Sequence, residues 1–219
     1  MERLLKGYRE FRKKRWPAER ARYEELAHKG QKPEYLIIAC SDSRSDPATI
    51  FNGRPGEFFI VRNIAAVVPP YEAPAGYYST RAAIAFAVLG LNVRNIVVMG
   101  HARCGGVAAA IDEEAAGHVP FLKEWVELMK PAIEASPKCD PHGHDIDGCA
   151  EVERNTVKLS IERLMGYPFI AERVNEGKLT VNGTRFNITN GVLEILDQKT
   201  GKFIEPRNGL LSNLFGRAA

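Results

Sequence analysis

The sequence predicts an α/β fold: a mostly parallel β-sheet flanked by helices, with an N-terminal helical arm and a C-terminal β-hairpin. Three observations carry this reading. Short apolar runs rich in branched residues, at 35–40, 58–61 and 95–99, read as strands buried on both faces. Between the last two, the alanine-rich stretch from Ser79 to Leu89 reads as a closely packed helix, and strand–helix–strand order implies parallel pairing with right-handed crossovers. Near the C-terminus, Asn190-Gly191 between two strand-like runs is a two-residue hairpin signal.

In chain order, Leu4, Leu5, Tyr8 and Phe11 fall at helical spacing, so residues 2–15 read as an amphipathic helix. Pro17 opens a second helix that ends near Gly30, since proline suits a helix start and glycine a helix end. The first helix has no partner for its apolar stripe in its own neighbourhood and is expected to lie across a second subunit. Residues 120–135 and 150–165 read as helices, with a loop from Ser136 to Gly148. Strands follow at 178–181, 184–189 and 192–196. With no internal repeat or low-complexity tract, residues 1–219 read as one domain, of which 1–30 is the arm.

Composition excludes several functions. A net charge of +3 over 219 residues is too mild to argue for nucleic acid or an anionic membrane as partner. No apolar run approaches the ~20 residues that span a bilayer, and the first residues lack the continuous apolar core of a secretory signal. The expected location is the cytoplasm, where the four cysteines should stay reduced and serve as ligands or nucleophiles rather than in disulfides.

Two segments carry chemistry, each directly after a predicted strand: Cys40-Ser-Asp-Ser-Arg44 and His101-Ala-Arg-Cys-Gly-Gly106. Ligands of an open α/β sheet bind outside the carboxyl ends of its strands, so both should meet at one rim. His101 and Cys104 can face one point around a turn, and Cys40 arrives from the neighbouring strand. Two thiolates and an imidazole suit tetrahedral zinc and leave a fourth position open, as catalytic zinc requires. Buried structural thiols are the plainer reading of either cysteine alone; the joint pattern outweighs it. Asp42 and Arg44 can pair as carboxylate and guanidinium beside the first ligand. Cys104-Gly105-Gly106 reads as a helix start. Cys139, His142, His144 and Cys149 lack the paired short spacings of zinc modules and read as a surface loop.

These motifs, with Pro55-Gly-Glu-Phe-Phe-Ile-Val-Arg-Asn63, give the chain its resemblance to β-class carbonic anhydrases, from about Gly30 to the C-terminal hairpin. The resemblance implies that Cys40, His101 and Cys104 bind Zn2+ and that Asp42 and Arg44 form a catalytic dyad. The implied reaction is the reversible hydration of carbon dioxide to bicarbonate and a proton by a zinc-bound hydroxide. It also implies a substrate pocket of Gln31, Phe59, Ile64, Phe86 and Gly105, with Gln31 acting across a homodimer interface, and dimers that can pair into tetramers. The chain departs from the family pattern at Ala85-Phe86, where Glu-Tyr or Glu-Phe is frequent, at Ala66 in place of asparagine, and at Ser45 in place of valine. Carbon disulfide or carbonyl sulfide hydrolysis, a non-catalytic zinc module and a thiol redox protein are the rival readings.

Overall fold

The computed structural model describes residues 1–72, 78–140 and 146–206. Helices α1 (Glu2–Glu10) and α2 (Trp16–Lys29) are joined without a break by a wide π-helical turn over Phe11–Arg15, and α2 begins as expected, with Pro17 in its first turn. Proline has no N–H to give, so a helical bond is lost there in any geometry. The wide turn, in which the Trp16 N–H reaches the Phe11 carbonyl, accommodates that loss. Gly30 ends the run with φ +76°. No residue of α1 or α2 is buried, and Leu4, Leu5 and Tyr8 are all exposed. The second helix touches its own chain where Arg22 donates to the Pro55 carbonyl and Leu26 lies over Gly56.

The chain then forms β1 (Tyr35–Cys40), α3 (Pro47–Ile50), β2 (Phe58–Asn63), α4 (Tyr78–Ala85), a π-helical turn (Phe86–Gly90) and β3 (Asn95–His101). Among the described residues six α-helices follow: α5 (Gly105–Ile111), α6 (Glu113–Gly117), α7 (Leu122–Val126), α8 (Lys130–Glu134), the long α9 (Ile146–Met165) and α10 (Pro168–Asn175). Strands β4 (Thr180–Phe186), β5 (Leu193–Asp197) and β6 (Lys202–Ile204) complete the sheet, whose order is β2-β1-β3-β4-β5-β6. The first four strands in that order pair in parallel and the last two join antiparallel.

Several boundaries differ from the sequence reading. The two strands expected at 178–181 and 184–189 are the single strand β4, which runs through Gly183 because α9 packs directly onto that glycine. The β4–β5 hairpin exists, but its connection takes residues 187–192: Asn187 N–H donates to Val192 O and Gly191 N–H to Asn187 O. The helix expected at 120–135 is broken by a 3₁₀ turn at Glu127–Met129, just before Pro131. Neither α10 nor β6 was expected.

The main core lies between the sheet and helices α4, α9 and α10, around Leu36, Ile38, Ile84, Ile96, Val98, Leu164 and Ile170. A Cβ on Gly100 would sit 2.7 Å from Val157 Cγ2, and one on Gly183 would sit 2.8 Å from Val157 and Ile161. These two glycines let α9 approach the backbones of β3 and β4. On the opposite face, Tyr35, Ile37, Val97, Thr184 and Ile195 line an open groove of about 380 Å³. Among the described residues no helix is long and apolar enough to cross a membrane.

The expectation that all four cysteines stay reduced is corrected for two of them. Cys139 and Cys149 form a disulfide with Cα atoms 5.2 Å apart, because the first turn of α9 returns Cys149 to the strand of chain that follows α8. His142 and His144 lie outside the described residues. Cys40 and Cys104 are free and buried.

Candidate metal centre

Strand β1 leads to β2 on one side of the sheet and β3 leads to β4 on the other, so the strand order diverges between β1 and β3. A crevice opens outside the carboxyl ends of strands at such a point. Cys40 is the last residue of β1 and His101 the last of β3. The turn after His101 reverses through Arg103, whose φ of +53° is in the left-handed region, and Cys104 follows as the N-cap of α5. The sulfurs of Cys40 and Cys104 are 3.8 Å apart, and with a His101 ring nitrogen the three ligand atoms lie within 4.8 Å of one another.

The donor set fits a metal ion. All three residues are buried. His101 Nδ1 is 2.9 Å from the Ala102 carbonyl, which assigns the proton to Nδ1 and leaves the lone pair on Nε2. That Nε2 is buried and has no hydrogen-bond partner in the chain. A buried acceptor facing two sulfurs is the pattern a cation satisfies. Within the cysteine pair, the hydrogen bond from Cys104 pushes Cys40 down to about 4, against the effect of burial and with help from His101. Cys104 moves the other way, raised by its bond to Cys40 and by burial. Burial is the largest single effect on His101 and works against its charged form, yet the Cys40 sulfur, the Ala102 carbonyl and Asp42 together outweigh it and the imidazole is raised.

Beside this cluster, the loop after β1 holds Asp42 and Arg44. Arg44 Nε donates to Asp42 Oδ1 at 2.9 Å, Nη2 donates to Oδ2 at 2.7 Å, and the Arg44 backbone N–H adds a third bond to Oδ1 at 2.8 Å. Arg44 Nη2 also reaches the Arg103 carbonyl at 3.1 Å, tying the pair to the His101–Cys104 turn. Hydrogen bonds from Arg44 hold the Asp42 carboxyl far below the usual carboxylate range, overcoming the opposing effect of burial. Asp42 Oδ2 stands 3.9 Å from His101 Nε2. Arg62 fixes the whole loop, donating from Nε to the Cys40 carbonyl at 2.9 Å, from Nη2 to the Asp42 carbonyl at 2.6 Å and from Nη1 to Asp46 at 3.2 Å. Ser45 is buried and donates both its N–H and its hydroxyl to the Asp42 carbonyl.

The turn after β2 closes the other side. Ala65 and Ala66 have φ of +64° and +55°, a left-handed conformation costing alanine about 1–2 kcal/mol per residue. It is held by Ala65 N–H donating to Cys40 Sγ at 3.4 Å, Ser160 Oγ donating to the Ala66 carbonyl at 3.3 Å and Trp125 Nε1 donating to the Ile64 carbonyl at 2.9 Å. A Cβ on Gly106 would meet Ile64 Cγ2 at 2.5 Å, so glycine is required for this turn to sit against α5.

The carbonic anhydrase family model matches residues 35–193, most of the chain and both ligand segments. Beta carbonic anhydrase 3 of Arabidopsis thaliana is 35% identical over 206 residues, which cover 91% of this chain and 79% of the relative. The chain belongs to the β-class carbonic anhydrases. Beta carbonic anhydrase 5, chloroplastic, also of Arabidopsis thaliana, is 40% identical over 185 residues; these span 84% of this chain but 60% of that relative's length. Among solved structures, the β-carbonic anhydrase CcaA matches with a TM-score of 0.87 at 28% identity, covering 94% of this chain and 99% of that one. A β-carbonic anhydrase of Sordaria macrospora, described as tetrameric, matches with a TM-score of 0.76 at 30% identity, covering 89% of this chain and 95% of that one.

The pocket residues drawn from the β-carbonic anhydrase resemblance do not all gather in one chain. Ile64 stands at the rim beside Gly106, and the space over Gly105 is open. Phe59 pairs with Leu36, four residues before Cys40, which is about 13 Å along the strand. Its ring packs 5.8 Å from that of Phe86, a residue 53% exposed. Gln31 lines a surface hollow with Glu34, Asn92 and Arg94 at the opposite end of the sheet. Sequence reasoning passed over Arg62, Trp125 and Glu153, whose carboxylate accepts the Cys104 N–H. Arg62 lies within the Pro55–Asn63 motif, whereas nothing in the spacing of Trp125 or Glu153 singles them out.

Proposed function

We propose that the chain catalyses the reversible hydration of carbon dioxide to bicarbonate and a proton, using Zn2+ held by Cys40, His101 and Cys104. The observation that carries this is the Asp42–Arg44 pair standing 3.9 Å from the unpartnered His101 Nε2, beside three converging ligand atoms. When bound, zinc supplies the Lewis acidity that brings deprotonation of water within reach of neutral pH. The chain's own groups do the rest. Cys40 and Cys104 supply negative charge, and His101 supplies a lone pair aimed by the Ala102 carbonyl. Asp42, ionised by Arg44, is an acceptor only, so it orients a neighbouring O–H and leaves the oxygen lone pair toward the substrate. Carbon dioxide has no donor and no charge, and the apolar wall at Ile64 suits it.

We further infer that the working unit is a homodimer at least, able to pair into a tetramer. The α1 stripe of Leu4, Leu5 and Tyr8 is exposed, as are Tyr78, Phe86 and Leu89 around α4. Phe59, Phe86 and Gln31 reach a metal centre only if that centre belongs to a second copy.

Stopped-flow hydration on zinc-loaded protein, run beside Asp42→Ala, tests the reaction. Rapid hydration in the parent and collapse in the variant is the expected result. Bound zinc with no hydration at any pH would overturn the substrate assignment and make carbon disulfide the next compound to assay.

A further inference from the structure

We propose that Glu153 is a positioning residue for the metal centre: held by Arg185, its carboxylate accepts the Cys104 N–H and thereby aims the Cys104 sulfur. The inference rests on the reading of Cys40, His101 and Cys104 as zinc ligands.

The geometry runs through three elements. Glu153 on α9 accepts the Cys104 N–H at Oε1, at 3.3 Å, while its Oε2 accepts from Arg185 Nε and Nη2 on β4, each at 2.7 Å. Both side chains are 5% exposed. Arg185 Nη1 extends the chain to Glu194 on β5 at 3.2 Å, and Glu194 pairs with Arg154 at 2.7 Å. Glu153 thus has one oxygen for the ligand turn and one for the guanidinium, and neither is left bare.

Cys104 is the N-cap of α5, so its own N–H lies outside the intrahelical ladder and requires an outside acceptor. The turn that delivers it carries the left-handed Arg103 and has little regular structure to hold it. Glu153 comes within reach because α9 lies close over Gly100 and Gly183, one helical turn beyond Glu153 at Val157. A buried ion pair is weak evidence for stability, because two apolar side chains of similar volume often serve a fold as well. What an apolar pair cannot do is accept the Cys104 N–H. Groups that orient a metal ligand commonly change metal affinity by about tenfold to a hundredfold when removed.

The test compares two double variants that differ by one acceptor. Glu153→Met with Arg185→Leu removes the charges and the acceptor; Glu153→Gln with Arg185→Leu removes the charges and keeps an amide oxygen for Cys104. Zinc affinity is read by competition with a chromophoric chelator, and the thiolate-to-metal absorption of the Co2+-substituted protein reports the sulfur geometry. The expected result is a loss of about tenfold or more for the Met variant, with a shifted Co2+ spectrum. The Gln variant should stay within about threefold of the parent. Melting of the metal-free proteins separates this from a loss of fold. Should neither double variant fold, Glu153→Asp keeps the charge beside Arg185 but falls a methylene short of Cys104, and is expected to show the same loss. Parent-like zinc affinity and Co2+ spectra in a folded Met variant, or in Glu153→Asp, overturn the positioning role alone. A parent that holds no zinc overturns it together with the metal reading.

Discussion

Arg44 grips both carboxylate oxygens of Asp42, through Nε at 2.9 Å and Nη2 at 2.7 Å, while the same Nη2 reaches the Arg103 carbonyl. The fork therefore fixes the carboxylate in plane and ties it to the turn bearing His101 and Cys104, two of the three residues that could hold a metal ion. Lysine would keep the charge but present a point donor in place of the fork. Arg44→Lys is expected to lower kcat roughly tenfold to a hundredfold, a loss typical of a misplaced catalytic group. Zinc content, measured by elemental analysis, should be unchanged. Full activity in Arg44→Lys would show that charge alone suffices.

The pH dependence follows from the same pair and from the donor set. Arg44 lowers the Asp42 carboxyl below its unfolded value, so the pairing stabilises the fold at any pH above about 4. That contribution is lost only as pH falls through the depressed folded value. Asp42 is thus ionised throughout the neutral and alkaline range and adds no inflection there. With Zn2+ bound as proposed, two thiolates would cancel its formal charge and make it a weaker acidifier of water than a site of neutral imidazoles. The hydration rate is expected to rise from roughly pH 6.5 toward roughly pH 9, with a single inflection in kcat/KM. A rate already flat at the acid end would contradict this.

Why the metal cluster was legible and its supports were not is a matter of sequence distance. Cys40 and His101 each end a buried apolar run, so a strand pattern and a rim rule bring them together without further information. Asp42 and Arg44 are local to Cys40. Trp125 and Glu153 act on Ile64 and Cys104 from helices α7 and α9, and only the close packing over Gly100 and Gly183 brings α9 into range. The same packing carries β4 through Gly183 as one strand where two were expected. Pro17 was read correctly: it lies in the first turn of α2, which ends at Gly30. Cys139 and Cys149 were judged by compartment, whereas the return of the chain into α9 places them within bonding distance.

The α9 contact gives a stability prediction. A methyl on Gly100 would lie 2.7 Å from Val157 Cγ2, closer than van der Waals contact allows. Gly100→Ala is expected to destabilise by about 1–3 kcal/mol, the range for overpacked cores. Val157→Ala alone leaves a cavity and should cost a similar amount, about 1–3 kcal/mol. Combined, the methyl of Gly100→Ala takes the place of Val157 Cγ2 and only the Cγ1 space over Gly183 stays empty, so urea melts should show a double variant well short of the sum. Strict additivity would mean that α9 is not seated by this contact.

The disulfide supplies the last prediction. Cys139 and Cys149 are ten positions apart and flank the junction between the chain after α8 and the start of α9. Closing a loop of that length restricts the unfolded chain by about 2–3 kcal/mol in the chain-entropy account. Cys40 and Cys104 are the other two cysteines and lie buried at the rim, so removing the bridge leaves the ligand set intact. A reductant is expected to lower the urea midpoint of the parent, and Cys139→Ser with Cys149→Ser should match the reduced parent and ignore the reductant. The m-value should rise on reduction, because an unbridged chain exposes more surface when it unfolds. Zinc content should be the same in all three. If the parent melts identically with and without reductant while mass spectrometry shows the bridge intact beforehand, native strain or residual structure in the unfolded chain offsets the entropy.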